Sequence, residues 1–325
     1  MPLLDIRSPG EYEKGHIPDA ISFPLFSNDE RATIGTLYKR EGRISAVKQG
    51  LEIVGPKLLP FVHQAEALES KSLAMYCWRG GMRSDSMAWL LEKAGFEIQI
   101  LEGGYKTYRN AMLDFFHQAL PLIVLTGFTG SRKTDLLSRL KIRGEQVLDL
   151  EGLAGHQGSS FGNQKTNGQP SSEHFQNLIY RNCLQFDLKK PIWVEDECHR
   201  IGQVTLPDDL FQQMGSSPHV FLEVPLDERI EFLVSDYGNL PVAKLVQATT
   251  DIRKKLGFDR AAKAIEHIQR GELPQAVEII LSYYDRYYLR SISKKKSLII
   301  KTVSGSLKEP DKLTDELTEL NSYAV

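Results

Sequence analysis

The sequence predicts an α/β protein with two domains, each built on a parallel β-sheet. Two segments, residues 72–94 and 121–140, each consist of a short apolar strand, a glycine-rich loop and an amphipathic helix. Strands that alternate with helices are typical of parallel sheets covered by helices. The chain has 325 residues, which is long enough for two ordinary domains.

The first of these segments reads "SLAMYCWRGGMRSDSMAWLLEKA". The elements expected in this part of the chain are a buried strand at 72–76, a helix from Ser84, a strand and turn at 97–104 and a helix at 105–120. Pro121 ends the last of these helices. We therefore place the boundary near residue 119, with a first domain over 1–119 and a second over 120–325.

The second domain begins with the strand, loop and helix of residues 121–140. Residues 151–172 are rich in Gly, Ser, Asn and Gln, which predicts a long loop of the kind that is often functional. A strand at 191–197 and a strand turning into a helix at 219–234 continue the alternation. From residue 240 the pattern is mostly helical, so this domain is expected to end in a helical C-terminal part.

Composition indicates a globular protein of a reducing compartment. The formal net charge is −2, so overall charge gives no sign of nucleic-acid binding, although a local basic patch is compatible with it. Three cysteines are too few for a disulfide framework. The N-terminus has acidic residues where a signal peptide would be basic, and no run approaches the roughly 18 apolar residues of a membrane span. We expect a cytoplasmic protein.

The loop after the first apolar strand predicts a nucleophilic cysteine. A helix N-terminus directs backbone N–H groups and partial positive charge at this loop. Gly80 and Gly81 permit the backbone angles of a concave loop, and Arg79 and Arg83 add positive charge, so the thiolate of Cys77 should be favoured. The residues expected to hold an anion beside it are Trp78, Arg79, Gly80, Gly81, Met82, Arg83 and Ser84. The alternative is a buried structural cysteine.

The stretch "DIRSPGEYEKGHIPDAISFPLF", residues 5–26, resembles the opening of a rhodanese domain. The matching residues are Asp5, Arg7, Ser8, Pro9, Glu11, Tyr12, Gly15, His16, Ile17, Pro18, Ala20 and Pro24. Asp19 stands where the rhodanese pattern usually has glycine. The resemblance implies a rhodanese-like first domain in which Asp5 and Arg7 support the sheet and the loop.

The spacing within the cysteine loop leaves a second interpretation open. Rhodaneses resemble C-x-x-G-x-R, whereas Arg83 stands six positions after Cys77. That spacing resembles cysteine-dependent phosphatases, in which the loop would hold phosphate and Cys77 would attack phosphorus. Two features count against a phosphatase: Tyr76 stands where many of them have histidine, and the chain carries a second phosphate-binding segment.

The second glycine loop, "GFTGSRKT" at 127–134, has the strand–loop–helix context of a P-loop. Lys133 would contribute charge to bound phosphates, and Thr134 is a candidate ligand of Mg²⁺. The predicted phosphate-binding residues are Gly127, Thr129, Gly130, Ser131, Arg132, Lys133 and Thr134. Arg132 replaces the last glycine of the motif. It predicts either backbone strain that impairs the loop or a loop that closes with this side chain facing outward.

The strand segment "IWVEDE" supplies acidic residues for the P-loop. Asp196, between Glu195 and Glu197, is the candidate to orient Mg²⁺ through water, although acidic residues are also common at strand ends. The eight histidines show no metal-ligand spacing, so we predict no site in which protein ligands alone bind a metal. We also expect no permanently bound cofactor. Cys183 and Cys198 have no cationic loop and are expected to be structural.

A basic and aromatic cluster lies near the C-terminus, in "YYDRYYLRSISKKK". Its members are Tyr283, Tyr284, Arg286, Tyr287, Tyr288, Arg290, Lys294, Lys295 and Lys296. Such residues suit contact with RNA phosphates and unpaired bases. A solvated helix whose tyrosines pack inward explains the pattern equally well.

The two loops together closely resemble the tRNA 2-selenouridine synthase family, and the likeness covers nearly the whole chain. Its other segments are "GTLYKREGRISAVKQGLEIVGPKL", "LEGGYKTYR", "SSFG", "GQPSSEHFQN" and "PIWVEDE" followed by "RIG". The resemblance implies an enzyme that replaces the sulfur of 2-thiouridine at the tRNA wobble position with selenium. The implied steps are S-geranylation from geranyl diphosphate and displacement of the thioether by selenium from selenophosphate.

On this resemblance Cys77 is the selenium-handling nucleophile, and Lys133 and Thr134 hold the diphosphate of the prenyl donor. The implied partners are tRNA with wobble 2-thiouridine and a supply of selenophosphate, with no membrane. Two alternatives stay open. One is a phosphatase or simple sulfurtransferase that uses Cys77 and has a regulatory nucleotide-binding domain. The other is a non-catalytic tRNA-binding module, if Arg132 has disabled the P-loop.

Overall fold

The computed structural model describes residues 1–156 and 168–320, apart from the side chains of residues 287, 290, 291, 293 and 294. This part of the chain forms two compact units. The first contains Met1–His117 together with Ser171–Arg181, and the second contains the remaining residues from Gln118 onward. The sequence-based division at residue 119 did not place Ser171–Arg181 in the first unit. Of the long loop expected at 151–172, residues 157–167 lie outside the described residues.

The first unit alternates strands and helices, as its sequence predicts. Its elements are β1 (Leu3–Asp5), α1 (Pro9–Lys14), β2 (Ile21–Ser22), α2 (Asn28–Glu41), α3 (Arg43–Val54), α4 (Leu58–Glu66), β3 (Ser72–Tyr76), α5 (Met82–Lys93), β4 (Glu97–Ile100) and α6 (Gly104–His117). Four strands form one wholly parallel sheet in the order β2-β1-β3-β4. The α/β class is thereby confirmed for this unit.

The core of the first unit explains why β3 is apolar. Leu73 and Met75 of β3 are fully buried and share one hydrophobic cluster with Leu4 and with Leu91 of α5. Cys77 follows β3 directly and belongs to the same cluster. Because the strands are parallel, their carboxyl ends lie at one edge of the sheet, which is where ligands bind in open α/β folds. The core therefore positions the cysteine loop at that edge.

The second unit also begins with a strand, a loop and a helix. The elements that follow α6 in the chain are β5 (Leu122–Gly127), α7 (Lys133–Ile142), β6 (Gln146–Leu148), α8 (Leu150–Ala154), α9 (Ser172–Cys183), β7 (Ile192–Glu195), β8 (Arg200–Ile201), β9 (Val204–Thr205), α10 (Asp208–Ser216), β10 (His219–Glu223), α11 (Leu226–Tyr237), α12 (Val242–Asp251), α13 (Arg253–Leu256), α14 (Phe258–Gln269), α15 (Leu273–Lys295), β11 (Ile299–Ser304) and α16 (Pro310–Thr318). Most of α9 belongs to the first unit.

A second parallel sheet has the order β11-β10-β5-β7-β6. The central strand β5 is buried along its whole length, which accounts for its continuous apolar sequence. Leu136 and Leu140 of α7 pack with Trp193 of β7 in the core of this unit. The short strands β8 and β9 form a separate antiparallel pair. The α/β class predicted for this domain is confirmed as well.

The C-terminal part of the second unit is largely helical, as expected. Residues of α13, α14 and α15 share a small apolar cluster, against which Tyr283 and Tyr284 pack. These two tyrosines therefore pack inward, whereas the side chains of Tyr287, Arg290 and Lys294 lie outside the described residues.

Across the described ranges, no helix has both the length and the apolar character needed to cross a membrane.

Candidate functional site: a cysteine loop and a P-loop

The cysteine loop joins the end of β3 to the start of α5. Cys77 is 4% exposed, and the loop continues through Trp78 and Arg79, which are exposed, to the helix cap at Gly81. The Gly81 N–H donates to Cys77 Sγ at 3.4 Å. No side chain caps the N-terminus of α5, so its backbone N–H groups are directed at the loop. The sequence placed Cys77 in this setting, and the structure has it there.

Two opposing effects act on the pKa of the Cys77 thiol. Burial alone would raise it, but the nearby donors, namely the Ser84 hydroxyl and the backbone N–H groups of Gly81, Arg79 and Ser84, lower it below its ordinary value. Ser84 is fully buried, and in the structure its Oγ has no hydrogen-bond partner of standard geometry among the described residues. Its hydroxyl is thus available to donate to a thiolate. Among the described residues, the hydrogen bond of standard geometry that the sulfur accepts comes from the Gly81 N–H.

Arg83 is held by an acidic partner. Its Nη1 lies 3.0 Å from Glu11 Oε2, and that carboxylate also accepts from the Ser8 N–H in the capping box of α1. Burial would raise the pKa of Glu11, but the charge of Arg83 and the hydrogen bond from Ser8 lower it. The positive charge of Arg83 is therefore partly neutralised before any anion binds. Arg79, by contrast, points its side chain into an exposed position.

The two glycines of the loop differ in conformation. Gly80 has φ +59°, and a Cβ there would lie 2.9 Å from both Gly103 N and Leu101 O, so glycine is required. Gly81 has φ −130° and open space around its Cα, so the expected need for glycine is wrong at this position. Beyond Gly81, Met82 is exposed at the first position of α5.

The turn that precedes α6 braces the cysteine loop from behind. The Tyr105 N–H donates to Cys77 O at 2.9 Å, and the Lys106 N–H donates to Trp78 O at 3.0 Å. Gly104 has φ +61°, and a Cβ there would overlap Cys77 O. Two N–H groups at the start of α6, in the segment "LEGGYK", therefore hold the carbonyls of Cys77 and Trp78.

A buried polar cluster supports the end of β3. Arg7 Nη2 and Asp5 Oδ2 are 2.6 Å apart, and both side chains are at most 1% exposed. The Tyr76 hydroxyl donates to Asp5 Oδ2 at 2.8 Å and accepts from the Ile17 N–H. Burial raises the pKa of Tyr76, so its hydroxyl stays protonated. The structural role implied for Asp5 and Arg7 is confirmed, and Tyr76 has a related role that sequence reasoning missed.

The P-loop joins β5 to α7, as predicted. Gly127 ends β5, and Thr129, Gly130 and Ser131 form the loop, in which the buried Ser131 donates from Oγ to Phe128 O at 2.7 Å. Arg229 of α11 braces this loop: it donates from Nη1 to Thr129 O at 3.1 Å and forms an ion pair with Asp285 at 2.8 Å. Arg229 is 4% exposed. Its contact with Thr129 joins residues that are 100 positions apart in the sequence, so no local sequence pattern indicated this role of Arg229.

Arg132 combines both outcomes that the sequence left open. Its backbone is left-handed, with φ +55° and ψ +35°, which is the conformation that the motif's glycine would supply. Its side chain turns to Asp135, with Nη2 3.1 Å from Oδ2, and lies 5.2 Å from the centre of the Phe232 ring. The P-loop therefore has a left-handed backbone at the position of the motif's glycine, and this backbone is strained because the residue there is arginine.

Lys133 and Thr134 converge on a carboxylate of β7. Thr134 Oγ1 donates to Glu195 Oε2 at 2.8 Å, and Lys133 Nζ lies 3.4 Å from Glu195 Oε1 and 3.2 Å from Gly127 O. Burial would lower the pKa of Lys133, but Tyr288 and the glutamates Glu195 and Glu197 raise it. The ammonium group therefore stays charged. Glu195 therefore contacts both of the residues that the sequence predicts to bind phosphate and Mg²⁺.

Asp196 lies beside this group with partners of its own. Thr126 Oγ1 donates to Asp196 Oδ2 at 2.9 Å, and Lys295 Nζ of α15 donates to Oδ1 at 2.7 Å. The carboxylates in contact with Thr134 are thus Glu195 and, at 3.3 Å, Glu151, and the Mg²⁺-orienting role of Asp196 stays a prediction. Burial raises the pKa of Glu197 above its usual range, helped by the charges of Glu195 and Glu151.

The other two cysteines differ from Cys77. Burial raises the pKa of Cys183 to about 12, in keeping with a structural residue. Cys198 is exposed, and the structural role expected for it stays a prediction. Partial burial of its thiol and the charges of Glu197 and Asp196 raise its pKa.

Over residues 1–156 and 168–320, no group of three or more His, Cys, Asp and Glu side chains is arranged to hold a metal ion.

Comparison with known proteins agrees with this pairing of loops. Residues 1–111 match the family model described as a rhodanese-like domain, and residues 120–318 match the one described as the tRNA 2-selenouridine synthase AAA domain. The tRNA 2-selenouridine synthase of Bdellovibrio bacteriovorus is 33% identical, with 98% of this chain and 95% of the relative covered. That of Nitrosomonas europaea is 31% identical, with 91% and 90% covered, and that of Shewanella denitrificans 33%, with 92% and 90% covered. This chain therefore belongs to the tRNA 2-selenouridine synthase family of enzymes.

Proposed function

We propose that this protein converts 2-thiouridine at the wobble position of tRNA to 2-selenouridine in two steps. In the first, the thiouridine sulfur attacks C1 of geranyl diphosphate, diphosphate leaves, and the base loses a proton. In the second, selenium from selenophosphate displaces the thioether at C2 as geranylthiol, and water cleaves the Se–P bond so that the phosphoryl group leaves as phosphate. Neither step changes the oxidation state of the base. The protein needs one site for a prenyl diphosphate and one for an anionic selenium donor.

The observation that carries the proposal is the position of Cys77 in the loop before α5, where the Gly81 N–H donates to its sulfur at 3.4 Å. A buried thiol would normally resist ionisation, yet the hydrogen bonds around this sulfur lower its pKa. The same N–H groups, at an uncapped helix start, suit the phosphate oxygens of selenophosphate. Cys77 is thus proposed as the nucleophile that handles selenium.

The P-loop supports the prenylation step. Lys133 is charged and only 10% exposed, and Thr134 lies beside it at the start of α7. Thr134 and Glu195 carry oxygen ligands that suit Mg²⁺, which would offset charge on the leaving diphosphate. Neither residue transfers a proton to the base in this scheme. Their task is to bind the donor and stabilise its leaving group.

The test is to incubate the protein with thiolated tRNA, geranyl diphosphate and selenophosphate, and to analyse the nucleosides by mass spectrometry. Geranylated uridine should form without selenophosphate, and selenouridine when both donors are present. Cys77→Ser should retain geranylation and lose selenation. Lys133→Ala should lose geranylation but still convert tRNA that is already geranylated.

Cys198→Ser, which alters an exposed cysteine, is the control and should retain both activities. Formation of neither product by the unaltered protein would overturn the proposal. Hydrolysis of an aryl phosphate that Cys77→Ser abolishes would instead favour a phosphatase.

A further inference from the structure

A buried asparagine of α9 lies at the centre of a hydrogen-bond network in the first unit. Asn177 has no exposed surface. Its Nδ2 donates to His16 O and to the Tyr105 hydroxyl, both at 2.8 Å, and its Oδ1 accepts from Arg109 Nη1 at 2.7 Å. Both the donor and the acceptor ends of the amide are therefore used. Satisfied buried polar groups of this kind fix one arrangement of the groups around them.

Tyr105 connects this network to the cysteine loop. Its hydroxyl accepts from Asn177 and donates to Glu173 Oε1 at 2.9 Å, while its backbone N–H donates to Cys77 O at 2.9 Å. Its ring is fully buried, 5.7 Å from the ring of Trp78 and 3.8 Å from the Arg7 guanidinium. A displacement of the Tyr105 hydroxyl would therefore also shift the Tyr105 backbone, whose N–H donates to Cys77 O.

We propose that Asn177 is a positioning residue for Cys77, acting through the Tyr105 hydroxyl to fix the start of α6 against the carbonyls of Cys77 and Trp78. The thiolate of Cys77 is stabilised by N–H groups of the cysteine loop, and the backbone of that loop sets their direction. A network that holds the loop backbone therefore keeps these N–H groups directed at the sulfur. The inference rests on Cys77 being the reactive group of the proposed function, but its test does not require the tRNA reaction.

A different explanation is that these hydrogen bonds only attach α9 to the first unit. Arg181 of the same helix does so, with Nη2 3.2 Å from Asp19 Oδ2 at an exposed position. The two explanations differ in a measurable way. Attachment alone predicts a change in stability with no change in the reactivity of Cys77. Positioning predicts a change in the reactivity of Cys77 in variants that remain folded.

The experiment measures alkylation of Cys77 by iodoacetamide between pH 5 and 10 in full-length protein carrying Cys198→Ser, with the modified peptide identified by mass spectrometry. The test variants are Tyr105→Phe, which keeps the ring, and Asn177→Ala. The matched control is Tyr108→Phe, the same change one turn later on α6, at a hydroxyl 3.5 Å from the Asn177 carbonyl. Circular dichroism confirms that each variant is folded.

Both test variants should shift the midpoint of the alkylation profile upward and slow the reaction at pH 7 by about threefold or more, the effect of one net hydrogen bond. Tyr108→Phe should match the parent. If Tyr105→Phe is folded and has the parent's profile, the proposal is overturned, whatever happens to Asn177→Ala. A shifted profile in a protein that makes no selenouridine would instead retain the positioning role and reject the proposed function.

Discussion

At Cys77, burial and hydrogen bonding act on the same sulfur in opposite directions. A thiol that is 4% exposed should have a raised pKa, and Cys183 shows that outcome at about 12. Cys77 differs because its loop supplies donors, among them the Gly81 N–H at 3.4 Å and the buried Ser84 hydroxyl. Sequence reasoning predicted the N–H groups of the helix start but also counted on the full charge of Arg83, since the pairing of Arg83 with Glu11 spans 72 positions.

Ser84→Ala should raise the pKa of Cys77 and slow its alkylation at pH 7 about tenfold, because a hydrogen bond to a charged group is lost. Ser86→Ala, an exposed change on the same helix, is the control. The sign follows from the thiolate being the reactive form: a higher pKa leaves less of it at neutral pH. Equal rates in the two variants would show that the Ser84 hydroxyl does not stabilise the thiolate.

The left-handed backbone at Arg132 allows a test of strain in the P-loop. A non-glycine residue in this conformation costs about 1 kcal/mol. Arg132→Gly should therefore be more stable than Arg132→Ala by about that amount, measured as the free energy of unfolding in urea. Alanine is the matched control because both variants lose the contacts with Asp135 and Phe232. Equal stabilities would mean that the backbone is not strained.

Among the elements, those with a strong local pattern were predicted well. The strand expected at 72–76 is β3, the strand at 191–197 corresponds to β7, and the strand that begins the segment 219–234 corresponds to β10. Apolar runs specify such strands because the strands are largely buried. The side chains at a strand end are harder to assign, since neighbouring residues point to opposite sides. That is why Glu195, not Asp196, contacts Thr134.

The turn before α6 can be tested with a pair of glycines. Gly104→Ala should destabilise the first unit by about 2 kcal/mol or more, because the added methyl overlaps Cys77 O and the backbone is left-handed. Gly95→Ala shares the positive φ, at +89°, but has nothing within 4 Å of its added methyl. Thermal unfolding and Cys77 alkylation should both respond more strongly at Gly104. Equal responses would show that the turn does not brace the loop.

For the molecule as a whole, no pattern in the sequence indicated that part of α9 belongs to the first unit. Local periodicity predicts that a helix forms but not which sheet it covers. The location of α9 depends on contacts such as that of Tyr105 with Asn177, which are 72 positions apart in the sequence. The two-domain α/β architecture was predictable because each domain carries its own strand–loop–helix segment. The unit to which α9 belongs was not predictable from the sequence.

Stability of the first unit should fall in mild acid. The rings of His16 and His174 stack 3.9 Å apart, and burial lowers the pKa of each, with the neighbouring His16 charge lowering that of His174 further. The unfolded chain then binds protons more readily than the folded one, so the free energy of unfolding decreases as the pH falls below about 6.5.

Thermal unfolding between pH 5 and 8 measures this effect. His174→Phe retains a ring against His16 but cannot be protonated, so its melting temperature should depend less on pH than that of the parent. His63→Gln alters an exposed histidine paired with Glu66 and should follow the parent. If His174→Phe also follows the parent, the stacked histidines do not control the acid response.

The membership of Ser171–Arg181 in the first unit also bears on how this protein can be divided or recombined. A gene fragment that stops near codon 119 would encode the cysteine loop but not Asn177 or Glu173, leaving the Tyr105 hydroxyl without its two hydrogen-bond partners. Exchange of the first domain between homologous genes would therefore have to include residues 171–181 to retain these hydrogen bonds.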